Sequence, residues 1–322
     1  MNGCIRVGSG RTILLGKKLK GILEDLGKRY RVSDGRRFRL KQFAPEDTGP
    51  FGRDDEEAAG SMLGACVDQM AELQDKLYAQ DRWSLLLIFQ AMDAAGKDST
   101  IKQVMSGINP QGCQVFSFKA PSEEELDHDY LWRVMRCLPE RGRIGIFNRS
   151  YYEETLVVQV HPEILERQHL PPALVTRDIW RERYEDISAY ERYLSRNGFR
   201  ILKFFLNVSK GEQKRRFSQR LEQPSKNWKF SAADLRERER WDDYMAAYET
   251  TIRHTASPHA PWFVVPADNK WFTRLVVASV VVETMKSMDL RYPRLTPAQR
   301  DELERARGEL ARAGKSGAKR KR

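Results

Sequence analysis

The sequence lacks a long apolar run. None of the hydrophobic stretches in its 322 residues approaches the roughly 20 residues that a membrane-spanning helix needs, and no transmembrane segment is expected. The opening MNGCIRVGSGRTILLGKKLKG has neither the apolar core nor the small-residue cleavage site of a secretory signal. Cysteine is sparse. Cys4, Cys66, Cys113 and Cys137 are scattered without paired or metal-ligand spacing. That argues against cysteine-bound metal and a disulfide framework, and for reduced thiols in a cytoplasmic protein. The five histidines, at 128, 161, 169, 254 and 259, show neither metal-ligand spacing nor the context of a catalytic triad. No internal repeat is present.

Positive charge is abundant. The net charge is +11, which points to a polyanionic partner: nucleic acid, an acidic membrane surface or a phosphate-rich substrate. Hydrophobic residues make up 40% and charged residues 31%, as in globular domains. The tail from 294 to 322 reads as a solvated, basic helix with a frayed end. A second basic cluster spans 209–231.

The order of elements suggests an α/β fold. Residues 1–54 mix Gly, Pro and basic residues with little apolar period, and are expected to wrap the surface or to be partly disordered. Leu63, Val67, Met70, Leu73 and Leu77 recur at helical steps, giving a helix over about 55–80. A continuous apolar run at 84–90 has the look of a strand buried on both faces, and further runs follow at 113–118, 144–148, 200–208 and 262–266. Helical segments are expected at about 97–107, 122–138, 176–197, 210–222, 234–254 and 270–289. Strands alternating with helices predict a parallel sheet covered on both faces, with ligands beyond the carboxyl ends of the strands.

One loop stands at such an end. FQAMDAAGKDSTI (89–101) follows the first strand and opens a helix, as a phosphate-binding loop does. The usual pattern wants glycine at 91 and a hydroxyl at 98; here Ala91 and Asp98 stand instead. Gly96 admits a close backbone approach, Lys97 adds a positive charge, and Asp93 could bind Mg²⁺ in place of the missing hydroxyl. By itself the stretch fits either a phosphate site or an ordinary strand–helix turn. IGIFNRSYYEE (144–154) ends a second strand in polar residues, where Asn148 could offer an oxygen to a metal and Arg149 could grip phosphate bidentately. SKGEQKRRFSQRLEQPSKNWKFS (209–231), broken by Pro224, reads either as a solvated basic helix or as a lid bringing cations to phosphate. Trp241, Tyr244, Met245 and Tyr248 fall at helical spacing and read as core rather than as a base-stacking platform. Asp242 and Asp243 face either the site or solvent.

Together these stretches resemble the polyphosphate kinase type 2 family, the polyphosphate:nucleotide phosphotransferases. The resemblance is carried by LLLIFQAMDAAGKDSTIKQVMSGINPQGCQVFSFKAPS (85–122), HDYLWRV (128–134), IGIFNRSYYEE (144–154), KGEQKRRFSQRLEQPSKNWKFS (210–231) and APWFVVPADNKWFTR (260–274), and covers about residues 37–293. It implies a thymidylate-kinase-type P-loop fold, three layers α/β/α with a parallel sheet and a helical lid. It divides the chain into an N-terminal extension (1–54), a catalytic domain (55–293) with its lid at about 209–231, and a basic tail (294–322). The family's loop carries an acidic residue, matched by Asp93, and its Gly-Lys is matched by Gly96 and Lys97. Its second motif is often F-D-R-S-W-Y. The version here, Phe147-Asn148-Arg149-Ser150-Tyr151-Tyr152 followed by acidic residues, is similar to the subgroup that phosphorylates both AMP and ADP.

The resemblance implies catalytic roles for Asp93, Lys97 and Arg149. Phosphate or nucleotide contacts fall to Ala94, Ala95, Gly96, Lys97, Asp98, Ser99, Asn148, Tyr152, Glu153 and Glu154. Lys210, Arg215, Arg216, Arg220, Lys226 and Lys229 are expected to bind polyphosphate from the lid. Asp93 and Asn148 are expected to hold Mg²⁺, with Mn²⁺ as a substitute. Expected partners are inorganic polyphosphate and nucleotides, with no nucleic acid and no membrane, in a homo-oligomer (dimer or tetramer). The rivals are an ATP-dependent nucleotide kinase on the same core and a non-enzymatic polyanion binder.

Overall fold

The structure is a computed structural model and describes residues 15–228 and 230–319. The chain divides into two compact units, Met1–Leu290 and Arg291–Arg322. In the second, the described structure is one helix, Pro297–Lys319.

The first unit is built on a six-stranded sheet. Its strands are β1 (Arg31–Val32), β2 (Ser84–Gln90), β3 (Cys113–Ser117), β4 (Ile144–Asn148), β5 (Phe199–Asn207) and β6 (Trp262–Pro266), in the spatial order β1-β6-β5-β2-β4-β3. Only β1 runs antiparallel; the other pairings are parallel. All seven residues of β2 are buried. A continuous apolar run is what a central parallel strand with covered faces requires, and each such Leu, Ile or Phe contributes about 1.5–3 kcal/mol on burial. One helical layer combines Leu15–Arg29, Glu56–Gln80, Lys97–Val104 and Lys270–Ser287, the last packing on each of the others. The other holds Ile179–Arg196 and Trp241–Thr255, which pack together, the first also on β5. This is the three-layer arrangement expected from the sequence.

The topology fixes where a ligand can sit. From β2 the chain moves outward to β3, returns to β4 beside β2, and then crosses to β5 on the other side. The order of strands therefore switches at β2, opening a crevice at its carboxyl end. The register brings Asn148 of β4 and Phe204 of β5 level with Phe89 of β2. The residues following each strand thus meet around one point.

Three expectations are corrected. Residues 21–51 do more than wrap the surface: Leu23, Leu26, Tyr30, Val32 and Phe38 are buried in the main core, and β1 extends the sheet. Interspersed Gly, Lys and Arg hide this apolar face in the sequence, and a two-residue strand has no period to read. The helix expected over 122–138 is two single turns, Glu123–Leu126 and Trp132–Met135; between them the Asp129 carboxylate accepts from the Leu131 N–H at 2.9 Å, a local bond that competes with helix. The helix expected over 234–254 is likewise two, Ala232–Glu239 and Trp241–Thr255.

Candidate active site

The loop after β2 bends twice through the left-handed region, at Ala94 (φ +61°) and at Gly96 (φ +107°). Gly96 precedes the helix Lys97–Val104, and no side chain caps that helix. Its first N–H groups therefore lack intrahelical partners and carry the positive end of the helix dipole. They open on a cavity of about 670 Å³ lined by the loop, the ends of β3 and β4 and the basic helix Lys210–Glu222. The cavity presents seven cationic side chains, Lys97, Lys119, Arg149, Arg216, Arg220, Lys226 and Lys270, against two carboxylates, Asp93 and Asp98. Such a lining favours a multiply charged anion.

Lys97 is buried, and its ammonium donates to the Ala91 carbonyl at 2.8 Å. An ammonium has three donors, and this is its one hydrogen bond among the described residues. Burial, reinforced by the nearby Arg149 charge, pushes its pKa down to about 8. A phosphate on this lysine would restore the charge. Arg149, itself left-handed (φ +64°), is fixed by its N–H to the Phe89 carbonyl at 2.9 Å. Its guanidinium reaches Asp93 Oδ1 at 2.9 Å and Glu153 Oε2 at 3.1 Å. The Glu153 charge, followed by Asp93, raises its pKa over the opposing effect of burial. Arg149 and Asp93 also border a small recess lined by Glu153, Glu237, Tyr244 and Tyr248. Asn148 Nδ2 donates to Asp98 Oδ1 at 2.7 Å, and Ser99 Oγ donates to the Gly96 carbonyl at 3.0 Å.

Arg216 has a different role from the one expected. It is 4% exposed. Its Nε donates to Glu212 (2.6 Å), one terminal nitrogen to the carbonyls of Ala94 (3.1 Å) and Ala95 (2.6 Å), and the other to those of Ala267 (2.6 Å) and Asp268 (3.1 Å). These bonds use all five N–H donors of a guanidinium, so none is left for a phosphate. Arg216 clamps the loop to the segment after β6. One turn earlier, Gln213 Nε2 donates to the Asp93 carbonyl at 3.0 Å. The first half of the basic helix is thereby fixed to the loop.

Other expected residues divide by position. Arg220 and Lys226 line the cavity; Arg220 also approaches Asp234 at 3.4 Å. Arg215 is exposed and forks onto Glu212, both distances 2.6 Å. Lys210 borders a separate groove with Trp241 and Met245. Lys229 lies outside the described residues. Asp242 and Asp243 are exposed, Asp243 being 3.7 Å from Arg240. Trp241, Tyr244 and Tyr248 are core, as expected.

Tyr152 and Glu154 are not at the cavity. The turn Tyr151–Thr155 is 3₁₀, with three residues per turn, which separates Glu153 from its neighbours. Tyr152 is fully buried; its hydroxyl donates to Glu191 Oε1 at 2.7 Å and accepts from Lys203 Nζ at 2.9 Å. Glu154 is buried against Arg183 and accepts from Gln168 Nε2 at 2.8 Å. Sequence reading also missed two cations on the cavity, Lys119 and Lys270. Lys119 lies in the segment after β3, and Lys270 opens the helix Lys270–Ser287 that follows β6; the rule that ligands bind beyond strand ends was the signal for them.

Among the described residues, no cluster of three or more His, Cys, Asp or Glu side chains could hold a metal. Mg²⁺ does not need one: it takes one or two carboxylates, substrate phosphates and water. Asp93 and Asp98, hard oxygen donors on an anion cavity, fit that requirement.

The uncapped helix and the cations around it make an anion-binding site of the kind a P-loop builds. Comparison with known proteins agrees. The family described as Polyphosphate kinase 2 (PPK2) matches residues 53–293. An ADP-polyphosphate phosphotransferase of Rhodopseudomonas palustris is 52% identical over 284 residues, 88% of this chain and 98% of that protein. An AMP/ADP-polyphosphate phosphotransferase of Meiothermus ruber is 44% identical over 266 residues, 83% of this chain and 95% of that one. The crystal structure of Polyphosphate Kinase 2 from Arthrobacter aurescens superposes with a TM-score of 0.78 at 37% identity, covering 87% of this chain and 96% of that chain. The chain belongs to the polyphosphate kinase 2 family, and it is an enzyme.

Proposed function

We propose that this chain transfers phosphoryl groups between inorganic polyphosphate and AMP or ADP, forming ADP and ATP. The observation that carries the reading is the buried Lys97 with donors to spare, beside an uncapped helix end in a cavity of seven cations. Support comes from the relatives named above, which act on ADP and on AMP and ADP.

The chemistry asks for alignment and neutralised charge. An oxygen of the nucleotide's terminal phosphate attacks the end phosphorus of polyphosphate. A P–O bond forms, the P–O–P anhydride breaks, and the shortened polyphosphate leaves with the electron pair. The attacking oxygen is already an anion at neutral pH, so no strong general base is needed. Lys97 and the first N–H groups of its helix hold one reacting phosphate. Arg149, kept in place by Asp93 and Glu153, faces the transferring group. Asp93, aided by Asn148 and Asp98, would hold Mg²⁺ or Mn²⁺, which when bound supplies charge neutralisation on the phosphates. Lys119, Arg220, Lys226 and Lys270 line the path for the polyanion. Segment 209–231 acts as the lid. Because Gln213 and Arg216 bind its first half to the loop, its moving part begins beyond Arg216.

Residues 55–293 form the catalytic domain in this reading, with 1–54 and 294–322 as extensions. No helix among the described residues is long and apolar enough to cross a membrane, and a cytoplasmic homo-oligomer, dimer or tetramer, completes the proposal. The test supplies AMP, then ADP, with either polyphosphate or ATP as donor and Mg²⁺ present, and separates the nucleotides formed. ADP and ATP arising from polyphosphate are expected. Transfer from ATP alone would replace the reading with an ordinary nucleotide kinase.

A further inference from the structure

The positive charge of this chain is concentrated at one end. Residues 291–322 contain eleven Lys and Arg and four Asp and Glu, so 11 − 4 = +7 of the net +11 lies in 32 residues. Within that stretch the charge is segregated. Its acids are Asp301, Glu302, Glu304 and Glu309, all within residues 301–309 of the helix Pro297–Lys319. There they offset nearby arginines, as Arg307 pairs with Glu304 at 2.7 Å. After Glu309 six cations follow and no acid. Residues 291–311 are all exposed. The stretch forms its own compact unit, and the family match ends at residue 293.

We propose that this basic tail is a second polyphosphate-binding element, outside the catalytic cavity, that captures the long polyanion and raises its concentration at the active site. The proposal rests on the polyphosphate reading above. Polyphosphate carries about one charge per phosphate, and a cationic segment binds such a chain by releasing its counterions. Covalent linkage of two binding elements makes the second encounter intramolecular. Only a chain long enough to engage both elements gains from this, so the benefit depends on polyphosphate length. A nucleotide gains nothing.

The experiment compares the full chain with a variant in which Arg312, Lys315, Lys319, Arg320, Lys321 and Arg322 are each replaced by Gln, and with a deletion of 297–322. Rates are measured with long-chain polyphosphate and with tripolyphosphate, at low and moderate salt. In both altered proteins the KM for the long chain should rise about tenfold at low salt, with kcat, the KM for ADP and the KM for tripolyphosphate unchanged. The salt dependence of the long-chain KM should flatten. Equal KM values for the long chain in all three proteins, or an equal rise for tripolyphosphate, would overturn the proposal. Direct binding of long-chain polyphosphate and of single-stranded RNA to the full chain and to the glutamine variant separates the two polyanions. Tail-dependent binding stronger for RNA would overturn it, as would a change in oligomeric mass without a change in length dependence. If the full chain forms no ATP, the catalytic reading fails, while tail-dependent binding of polyphosphate still decides this one.

Discussion

Lys97 and Lys203 are both buried, and desolvation holds both below the ordinary lysine range. They differ in what surrounds them. Lys203, in the middle of β5, is fully enclosed. Its ammonium donates to Glu191 (2.6 Å), the Tyr152 hydroxyl (2.9 Å) and the Thr255 carbonyl (2.8 Å), so its three donors are used. Glu191 in turn accepts from Tyr151 and Tyr152, at 2.9 and 2.7 Å. Lys97 stands at the edge of a cavity with one protein acceptor. A buried charge with every valence filled by the protein is structural, and it pins the turn that follows Arg149. A buried charge with valence to spare beside an open cavity is waiting for a ligand.

The comparison can be broken by exchanging the two effects. The largest is expected at Lys203: Lys203→Met leaves Glu191 charged, buried and unpaired, and should cost about 3–5 kcal/mol of stability in urea unfolding. A loss below 1 kcal/mol would mean that the network is not a structural anchor. Lys97→Met should fold normally and lose about 2–3 kcal/mol of transition-state stabilisation, roughly 30- to 150-fold in kcat/KM. Near-wild-type turnover would remove Lys97 from the chemistry.

Arg216→Lys keeps the charge but cannot reproduce five donors in a planar fork. A loss of about tenfold in kcat is expected from a loosened loop, with the salt dependence of polyphosphate binding unchanged. If that dependence falls while kcat holds, Arg216 binds substrate after all.

pH offers a milder perturbation. Lys97 loses its proton in the folded protein near pH 8, well before it would in the unfolded chain. Between these values the unfolded state binds more protons, so this group makes stability rise with pH. Phosphate affinity moves the other way, and kcat/KM should fall above about pH 8 in the wild type. A profile flat to pH 9.5 would argue against a charged Lys97 in the free enzyme. The smallest effect is expected at Asp242→Asn and Asp243→Asn, which sit in solvent and should stay within about 0.5 kcal/mol in stability with unchanged rates.

The sequence made β2 to β6 legible because each is a short, mainly apolar run set between helix-length segments, and it made Asp93, Lys97 and Arg149 legible because each lies in a short motif at a strand end. It hid whatever depends on distant partners. Arg216 looks like its neighbours in a basic run; only the fold brings the carbonyls of Ala94, Ala95, Ala267 and Asp268 around it. Tyr152 and Glu154 look like Glu153, but Glu191, Lys203 and Arg183 draw them inward. Lys119 and Lys270 stand alone in their segments, and the sheet order is what places them with Lys97.

The most direct test measures ATP formed from ADP and inorganic polyphosphate with Mg²⁺, by wild-type and Lys97→Met proteins at equal folded fraction. Steady ATP from the first and at least about 30-fold less from the second is the expected result. Equal ATP from both, or none from the wild type, would contradict it.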